Sequence, residues 1–304
     1  MMKHLRIAEG KVVPAGADDG QVIVVAAPED TERRYLIDTL KLDEHTLSSA
    51  LDPDELGRLE FEPEHTAMIF KRPKNYCSED NYLFKVVATG LYLFKDRLVI
   101  VIPEDAPLFE GRPFQRVQSL PELLLKIVYR AIIHYEEHLR VINAISGQLE
   151  QEISTAMENR DLLNLFALEK SLVYYVNAIH SNGVVIEKMR NNAAKIGFTP
   201  ENMEFLDDIV IENNQCLQQA DIYSNILASL MDARVSIVSN NLNLLMKSLT
   251  LVMIGIMLPT LVVSLFSMNV QFPMKDHPMM FWIILCLAGS SAVVVGMVWK
   301  YKRW

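Results

Sequence analysis

The chain has 304 residues, of which 50% are hydrophobic, and a formal net charge of −9. This length allows one or two domains, and the negative charge, with no basic patch before the last few residues, lacks the usual signature of a nucleic-acid-binding protein. Cys77, Cys216 and Cys286 are isolated and show no Cys-x-x-Cys spacing, so neither a disulfide framework nor a zinc knuckle is expected.

The first 115 residues predict a domain of mixed strands and helices. Residues 1–20 are polar and carry no apolar segment typical of a signal peptide, so membrane targeting is expected from later in the chain. Strands are predicted at 21–27 and 65–71, and a hairpin at 89–93 and 98–102 around a turn at 94–97. Residues 31–59 have a helical period that Pro53 and Asp54 interrupt.

Long helices follow from about Ser119, where the apolar residues recur with a period near 3.6. The pattern breaks near residues 158–161, resumes to about 194 and stops at Gly197. Thr199 is a candidate N-cap, with Pro200 at the first helical position. No proline or glycine follows until Gly255, so we predict one helix over about 200–268, on the order of 100 Å long, which emerges as a stalk and enters a membrane.

Two motifs in the helical region are candidate metal sites. His134, Glu137 and His138 match the His-x-x-Glu-His pattern of one metalloprotease class, but no third ligand is identifiable, and an ordinary surface helix is the preferred interpretation. An acidic segment between Lys195 and Arg234 contains no basic residue. Its carboxylates indicate either a solvated helix face or a surface that attracts cations; they are Glu201, Glu204, Asp207, Asp208, Glu212, Asp221 and Asp232.

Two uncharged segments near the C-terminal end predict membrane spans. Residues 248–274 contain a mostly apolar core at 249–268, and residues 278–299 form a second uncharged run. Each meets the roughly 20 residues needed to cross a bilayer, and the short connection makes them a hairpin. The predicted fold is therefore an α+β cytoplasmic domain (1–115), long cytoplasmic helices and a stalk (116–247), and a two-helix transmembrane hairpin with a basic tail (248–304; spans about 248–270 and 278–299).

Basic residues predict the orientation of the hairpin. Lys247 precedes the first span and Lys300, Lys302 and Arg303 follow the second, whereas the loop has only Lys275 beside Asp276. The positive-inside rule then places both termini in the cytoplasm. Aromatic residues stand at the expected interfaces, namely Trp282, Trp299 and Tyr301.

Eleven positions in the predicted stalk and first span follow one another at a mean spacing of 3.5, the period of a coiled coil, and so share one face. We call this face the seam; it comprises Asp232, Ser236, Ser239, Asn243, Met246, Leu249, Met253, Met257, Thr260, Ser264 and Ser267. Small polar residues in a span either join helices together or line a water-filled pore formed by several copies. Both interpretations stay open on the period alone.

The seam ends at Ser267-Met268-Asn269, and the chain ends in a basic segment from Lys300 to Trp304. In these features and in its overall organisation the chain resembles the CorA-type two-transmembrane metal ion transporters, whose signature is Gly-Met-Asn. The resemblance implies a homopentamer, not an enzyme, with the first spans around an axial pore in the inner membrane. Its partners would be lipid, metal cations and further copies of the chain, and no nucleic acid.

The resemblance also implies roles for individual residues. Ser267, Met268 and Asn269 would form the outer pore mouth, where the Asn269 carbonyl holds a hydrated cation. The pore lining would include polar rings formed by Asp232, Asn243 and Thr260. Met246, Leu249 and Met253 would form the apolar constriction that gates the pore, and Met257 and Ser264 would also line it. Asp208, with Asp207 adjacent, would bind regulatory metal. The implied function is uptake of magnesium, with cobalt and nickel as further candidates, gated by cytosolic divalent cations; no cofactor is implied beyond the transported and regulatory ion.

Ser267 departs from the glycine of the signature. Members that vary this tripeptide include zinc transporters such as ZntB, so a zinc or weakly selective transporter of the same fold is the first alternative. The second is a non-conducting structural or sensing membrane protein, in which the seam only joins helices. No glycine-rich phosphate loop is present, which gives no support to ATP-driven transport.

Overall fold

The computed structural model describes residues 1–17, 19–77, 80, 82–153, 159–268 and 278–302. The chain divides into two compact units, Met1–Leu230 and Met231–Trp304. The three-part division at residues 115 and 247 stays a prediction.

The N-terminal unit contains a seven-stranded sheet. Its strands are β1 (Met2–Ala8), β2 (Lys11–Pro14), β3 (Val22–Ala26), β4 (Arg58–Phe61), β5 (His65–Pro73), β6 (Val86–Phe94) and β7 (Leu98–Ile102). They lie in the order β2-β1-β3-β7-β6-β5-β4. β3 and β7 are parallel, and the other neighbours are antiparallel.

The predicted strands at 21–27 and 65–71 and the hairpin at 89–102 are confirmed. The Phe94 N–H donates to the Arg97 carbonyl at 2.9 Å and closes the predicted turn. The helical prediction for 31–59 is wrong at its end, because residues 58–61 form β4. β4 is a short edge strand whose pairing with β5 overrides its local period. β1 and β2 had not been predicted.

Short helices cover one face of the sheet. They are α1 (Asp30–Arg34), a π-helical turn (Tyr35–Thr39) and α2 (Glu44–Ser49). Leu36, Leu40 and Leu47 pack on Val99 and Val101 of β7 and form one buried core there. Gly90 of β6 lies under α2, where an added Cβ would come within 2.6 Å of the Ala50 Cβ.

The other face meets two long helices, α3 (Leu120–Ile153) and α4 (Asn159–Asn191). The predicted break near 158–161 lies partly outside the described residues. Asn182 of α4 is fully buried. Its Oδ1 accepts from the Lys71 N–H at 2.9 Å and its Nδ2 donates to the Lys71 carbonyl at 2.8 Å. The amide therefore occupies the outer edge of β5 beyond the last residue paired with β4.

A short helix α5 (Ala193–Ile196) ends at Gly197, whose φ of +84° is left-handed. The Thr199 hydroxyl then accepts from the Asn202 N–H at 3.3 Å, which confirms the predicted N-cap. Helix α6 runs from Pro200 to Phe266 and confirms the predicted long helix. Helix α7 spans Met280–Lys302. Each has a segment long and apolar enough to cross a membrane, with mean hydropathies of 2.4 and 2.3.

Candidate metal-ion pathway

Helix α6 and helix α7 lie side by side within the Met231–Trp304 unit. A cavity of about 340 Å³ between them is lined by residues that include Gly255 of α6 and Ala292 and Gly296 of α7. The partly covered positions of α6 continue this line; they are Leu251, Gly255, Pro259, Val262 and Phe266. One longitudinal face of α6 is therefore directed toward α7.

The seam lies on the opposite face of α6. Successive helical residues turn by about 100°, which puts Met253, Thr260 and Ser264 roughly 140–180° from Gly255 and Val262. All the seam residues from Asp232 to Ser267 are exposed in the chain. The small polar residues of the span therefore do not serve to join α6 to α7 of the same chain.

Two hydroxyls in the span part of the seam, those of Thr260 and Ser267, donate to the helix backbone. Thr260 Oγ1 donates to the Ile256 carbonyl at 2.7 Å, and Ser267 Oγ donates to the Ser264 carbonyl at 2.9 Å. A hydroxyl used in this way keeps its oxygen lone pairs free to accept. Water bound to a cation directs its hydrogens outward, so a row of acceptors suits a hydrated cation.

Below the polar part, the seam is apolar. Met246, Leu249, Met253 and Met257 are each more than half exposed, at 56%, 56%, 51% and 65%. Asn243 and Asp232 continue the seam on the N-terminal side, and both are exposed. The seam thus has an exposed apolar segment between two polar ones.

The outer end of the seam is only partly described. Ser267 closes the last turn of α6, and its N–H donates to the Val263 carbonyl at 3.1 Å. Met268 is 55% exposed. The predicted role of Asn269 falls outside the described residues.

Asp207 and Asp208 are both exposed on α6. A buried stripe on the same helix packs inward; it includes Leu206, Ile209, Asn213 and Cys216. Asp207 Oδ1 lies 3.8 Å from Arg190 Nε, whereas Asp208 is in none of the ion pairs found among the described residues. No group of three metal-ligating side chains occurs within the described ranges, so the predicted metal role of this pair stays a prediction.

A second carboxyl pair lies at a site not singled out from the sequence. Burial raises the pKa of Glu136 on α3, and the neighbouring carboxylate of Glu212 on α6 raises it further. Cys216 lies near both carboxyls, and its burial raises the pKa of the thiol to about 12. Glu136, Glu212 and Cys216 come together only where α3 packs against α6. In the sequence, the two carboxylates lie in two separate candidate metal-binding segments.

The His-x-x-Glu-His segment is not the ordinary surface helix that had been predicted. His138 is buried, and its Nδ1 lies 2.6 Å from the Tyr175 hydroxyl. The rings of His134 and His138 are 4.4 Å apart. Burial lowers the pKa of His134 to about 3 and that of His138 to about 4.

A family model described as a CorA-like Mg2+ transporter protein matches residues 22–303. The cobalt/magnesium transport protein CorA of Methanocaldococcus jannaschii is 23% identical over 311 positions, which cover 98% of this chain and 96% of that protein. The complete structure of the CorA magnesium transporter from the same organism has a TM-score of 0.82 and 22% identity, covering 98% of this chain and 96% of that one. The structure of the full-length CmaX protein has a TM-score of 0.75 and 14% identity, covering 100% and 97%.

The structural matches confirm the predicted fold: an α/β domain, a long helix and two apolar C-terminal helices that could span a membrane. The family model extends over most of the chain, from the first central strand to the basic tail. The chain belongs to the CorA-like Mg2+ transporter family.

Proposed function

We propose that several copies of the chain, five by family resemblance, form a channel that conducts divalent cations along the α6 seam, with magnesium as the first candidate. The observation that carries this proposal is the position of the seam, which is exposed and opposite the face directed toward α7. The Thr260 and Ser267 hydroxyls donate to the helix backbone, but their acceptor lone pairs would find no donor in lipid. Copies of the same face around a common axis would place these groups against water instead.

The chemistry of the seam favours a hydrated cation over a bare one. Its polar residues within the predicted span, Thr260, Ser264 and Ser267, are uncharged. Mg2+ loses its water reluctantly, so neutral acceptors that contact the hydration shell suit it better than tight carboxylate ligands. Asn269 would complete the path at the outer mouth. Met246, Leu249 and Met253 would form an apolar constriction that closes by excluding water.

Orientation and regulation belong to the same proposal. The protein would lie in the inner membrane with both termini in the cytoplasm, and the basic residues Lys247, Lys300 and Lys302 support this orientation. Inward flux would follow the membrane potential. Cytosolic divalent cations bound at Asp208 and Asp207 would favour the closed pore, and the exposure of both carboxylates leaves them available to such ions.

The test is ion flux into liposomes that contain the purified full-length protein. Dyes inside the vesicles report magnesium, cobalt, nickel and zinc in separate experiments, and Asn269→Ala is compared with the wild type after its assembly has been checked by light scattering. We expect magnesium flux in the wild type and its loss in Asn269→Ala with the oligomer intact. The absence of any divalent flux would overturn the proposal and favour a structural or sensing protein.

A zinc or weakly selective transporter is the second candidate, and Ser267 favours it. The Ser267 hydroxyl donates to Ser264 and so presents an additional oxygen acceptor where the family signature has glycine. Ser267→Gly should then shift the flux ratio toward magnesium. An unchanged ratio would show that Ser267 does not determine the choice of ion.

A further inference from the structure

A cavity of about 200 Å³ lies inside the Met1–Leu230 unit, between the sheet and α3. Phe70 and Arg72 line it from one face of β5, and Thr89, directly opposite Phe70, lines it from β6. One stripe of α3 closes the cavity with Ile127, Arg130 and His134. Residues 106–108 and 110, in the loop after β7, also line it.

Arg72 is the unusual member of this lining. It is 8% exposed, its Nε donates to the Thr89 hydroxyl at 3.2 Å, and its Nη1 donates to the Pro73 carbonyl at 3.4 Å. Its Nη2 is buried and has no hydrogen-bond partner among the described residues. Burying a charged group with an unpartnered donor costs free energy. A ligand that accepts a hydrogen bond from Arg72 Nη2 would offset this cost and would therefore bind favourably.

No protein carboxylate within the described residues neutralises Arg72 by an ion pair. Glu104 contributes an attractive charge, but its own carboxylate pairs with Lys74 at 2.9 Å. The acidic side chain among the lining residues is Glu110, which is exposed. The guanidinium of Arg72 is thus left with a hydroxyl and a carbonyl as its partners.

The rest of the lining supplies hydrogen-bond donors. Arg130 adds a second guanidinium, of which Nη1 is bonded to Glu137 at 3.1 Å. Thr89 accepts from Arg72 and keeps its own hydroxyl hydrogen for donation. His134 is neutral near pH 7, because burial and the nearby positive charges of Arg130 and Arg72 lower its pKa, so its ring still carries one N–H.

We propose that this cavity binds a small oxyanion, a phosphate group that is either free or part of a small phosphate ester. A guanidinium group can donate two parallel hydrogen bonds to two oxygens of one phosphate. Arg72 and Arg130 line the same cavity. Phe70, Leu91 and Ile127 provide apolar walls for the body of an ester. The small volume excludes large ligands. The site lies outside the α6 seam, so phosphate binding there does not depend on cation transport.

The test measures the thermal unfolding midpoint of the full-length protein in detergent, without divalent ions, as inorganic phosphate replaces chloride at constant ionic strength. Arg72→Met and Arg130→Gln are compared with Arg140→Gln, which removes an exposed arginine of α3 that does not line the cavity. We expect a saturable rise of the midpoint in the wild type and in Arg140→Gln. The apparent affinity should fall about tenfold or more in Arg72→Met, and also in Arg130→Gln, which keeps the test valid if Arg72→Met does not fold.

Phosphate also strengthens apolar burial in any protein, and the variants separate that effect from binding. An equal response in the wild type, Arg72→Met and Arg130→Gln would overturn the proposal, as would a response no larger than that to chloride. Glycerol phosphate distinguishes the two sources of the phosphate group. Tighter binding than inorganic phosphate supports an ester as the ligand, and equal binding supports free phosphate.

Discussion

Asn182→Ala is expected to destabilise the N-terminal unit strongly, because one buried amide satisfies two backbone groups. The Asn182 side chain accepts from the Lys71 N–H and donates to the Lys71 carbonyl, at 2.9 and 2.8 Å. The paired segment of β4 ends opposite Ile69, so no strand replaces the amide when it is removed. The contact also joins α4 to β5 across 111 residues of sequence.

The expected cost follows from the groups left behind. A buried donor or acceptor without a partner costs about 1–3 kcal/mol, and two such groups remain after Asn182→Ala. We therefore expect a loss of about 2–6 kcal/mol. For a unit of this size, each kcal/mol lowers the unfolding midpoint by about 2–4 °C, which gives a decrease of about 4–24 °C.

The assay is thermal unfolding of the full-length protein in detergent, followed by circular dichroism. Asn177→Ala is the matched control, since Asn177 lies on the same helix and is exposed. The control should change the midpoint by no more than about 2 °C, the effect of an ordinary surface substitution. If Asn182→Ala and Asn177→Ala had equal midpoints, the reasoning that the amide completes the edge of β5 would be refuted.

Three further predictions address the sheet, the carboxyl pair and the seam. Gly90→Ala should cost about 1–3 kcal/mol, measured by the same unfolding assay, because its Cβ would lie 2.6 Å from that of Ala50. Glu136→Gln should raise the unfolding midpoint at pH 7 but not at pH 4. The folded state raises the pKa of Glu136 above 4.5. The stability contributed by the protonated carboxyl is therefore present below that value and is lost as the pH rises through the folded pKa, whereas neutral Gln keeps it. Leu249→Ser should increase resting magnesium flux in liposomes by admitting water to the apolar constriction.

Each of these three predictions has an outcome that would contradict it. Gly147→Ala is the control for the sheet, since an added Cβ there meets nothing within 4 Å and should stabilise α3 by up to about 1 kcal/mol; equal effects of the two glycine substitutions would refute the contact. A midpoint that Glu136→Gln lowers equally at both pH values would argue against the carboxyl pair. Unchanged flux in Leu249→Ser would exclude this residue from the gate.

The elements that the sequence predicts well are those with strong local signals. Helix α6 was predictable to within two residues of its end, because Gly197, Thr199 and Pro200 mark its start and no interior breaker precedes Gly255. The apolar segments of α6 and α7 are likewise local properties. Strand β4 was not predictable, since four residues of weak pattern become a strand only through pairing with β5.

The candidate sites divide in the same way. The seam is a regular repeat and was visible in the sequence, but the face that α7 covers depends on how the two helices meet. Glu136 and Glu212 meet only after α3 and α6 have packed. Arg72 lies one residue beyond the strand predicted at 65–71, and its unpartnered nitrogen becomes evident only when α3 closes the cavity.

The most direct test of the account is chemical access to the seam during transport. Thr260→Cys, combined with Cys286→Ser, places a thiol on the seam. Leu265→Cys, also combined with Cys286→Ser, places a thiol on another exposed face, about 120° from the centre of the seam. A positively charged thiol reagent added to liposomes should block magnesium flux through Thr260→Cys and leave flux through Leu265→Cys unchanged. Equal block of both variants, or no block of Thr260→Cys after its modification has been verified by mass spectrometry, would contradict the claim that the seam lines the ion path.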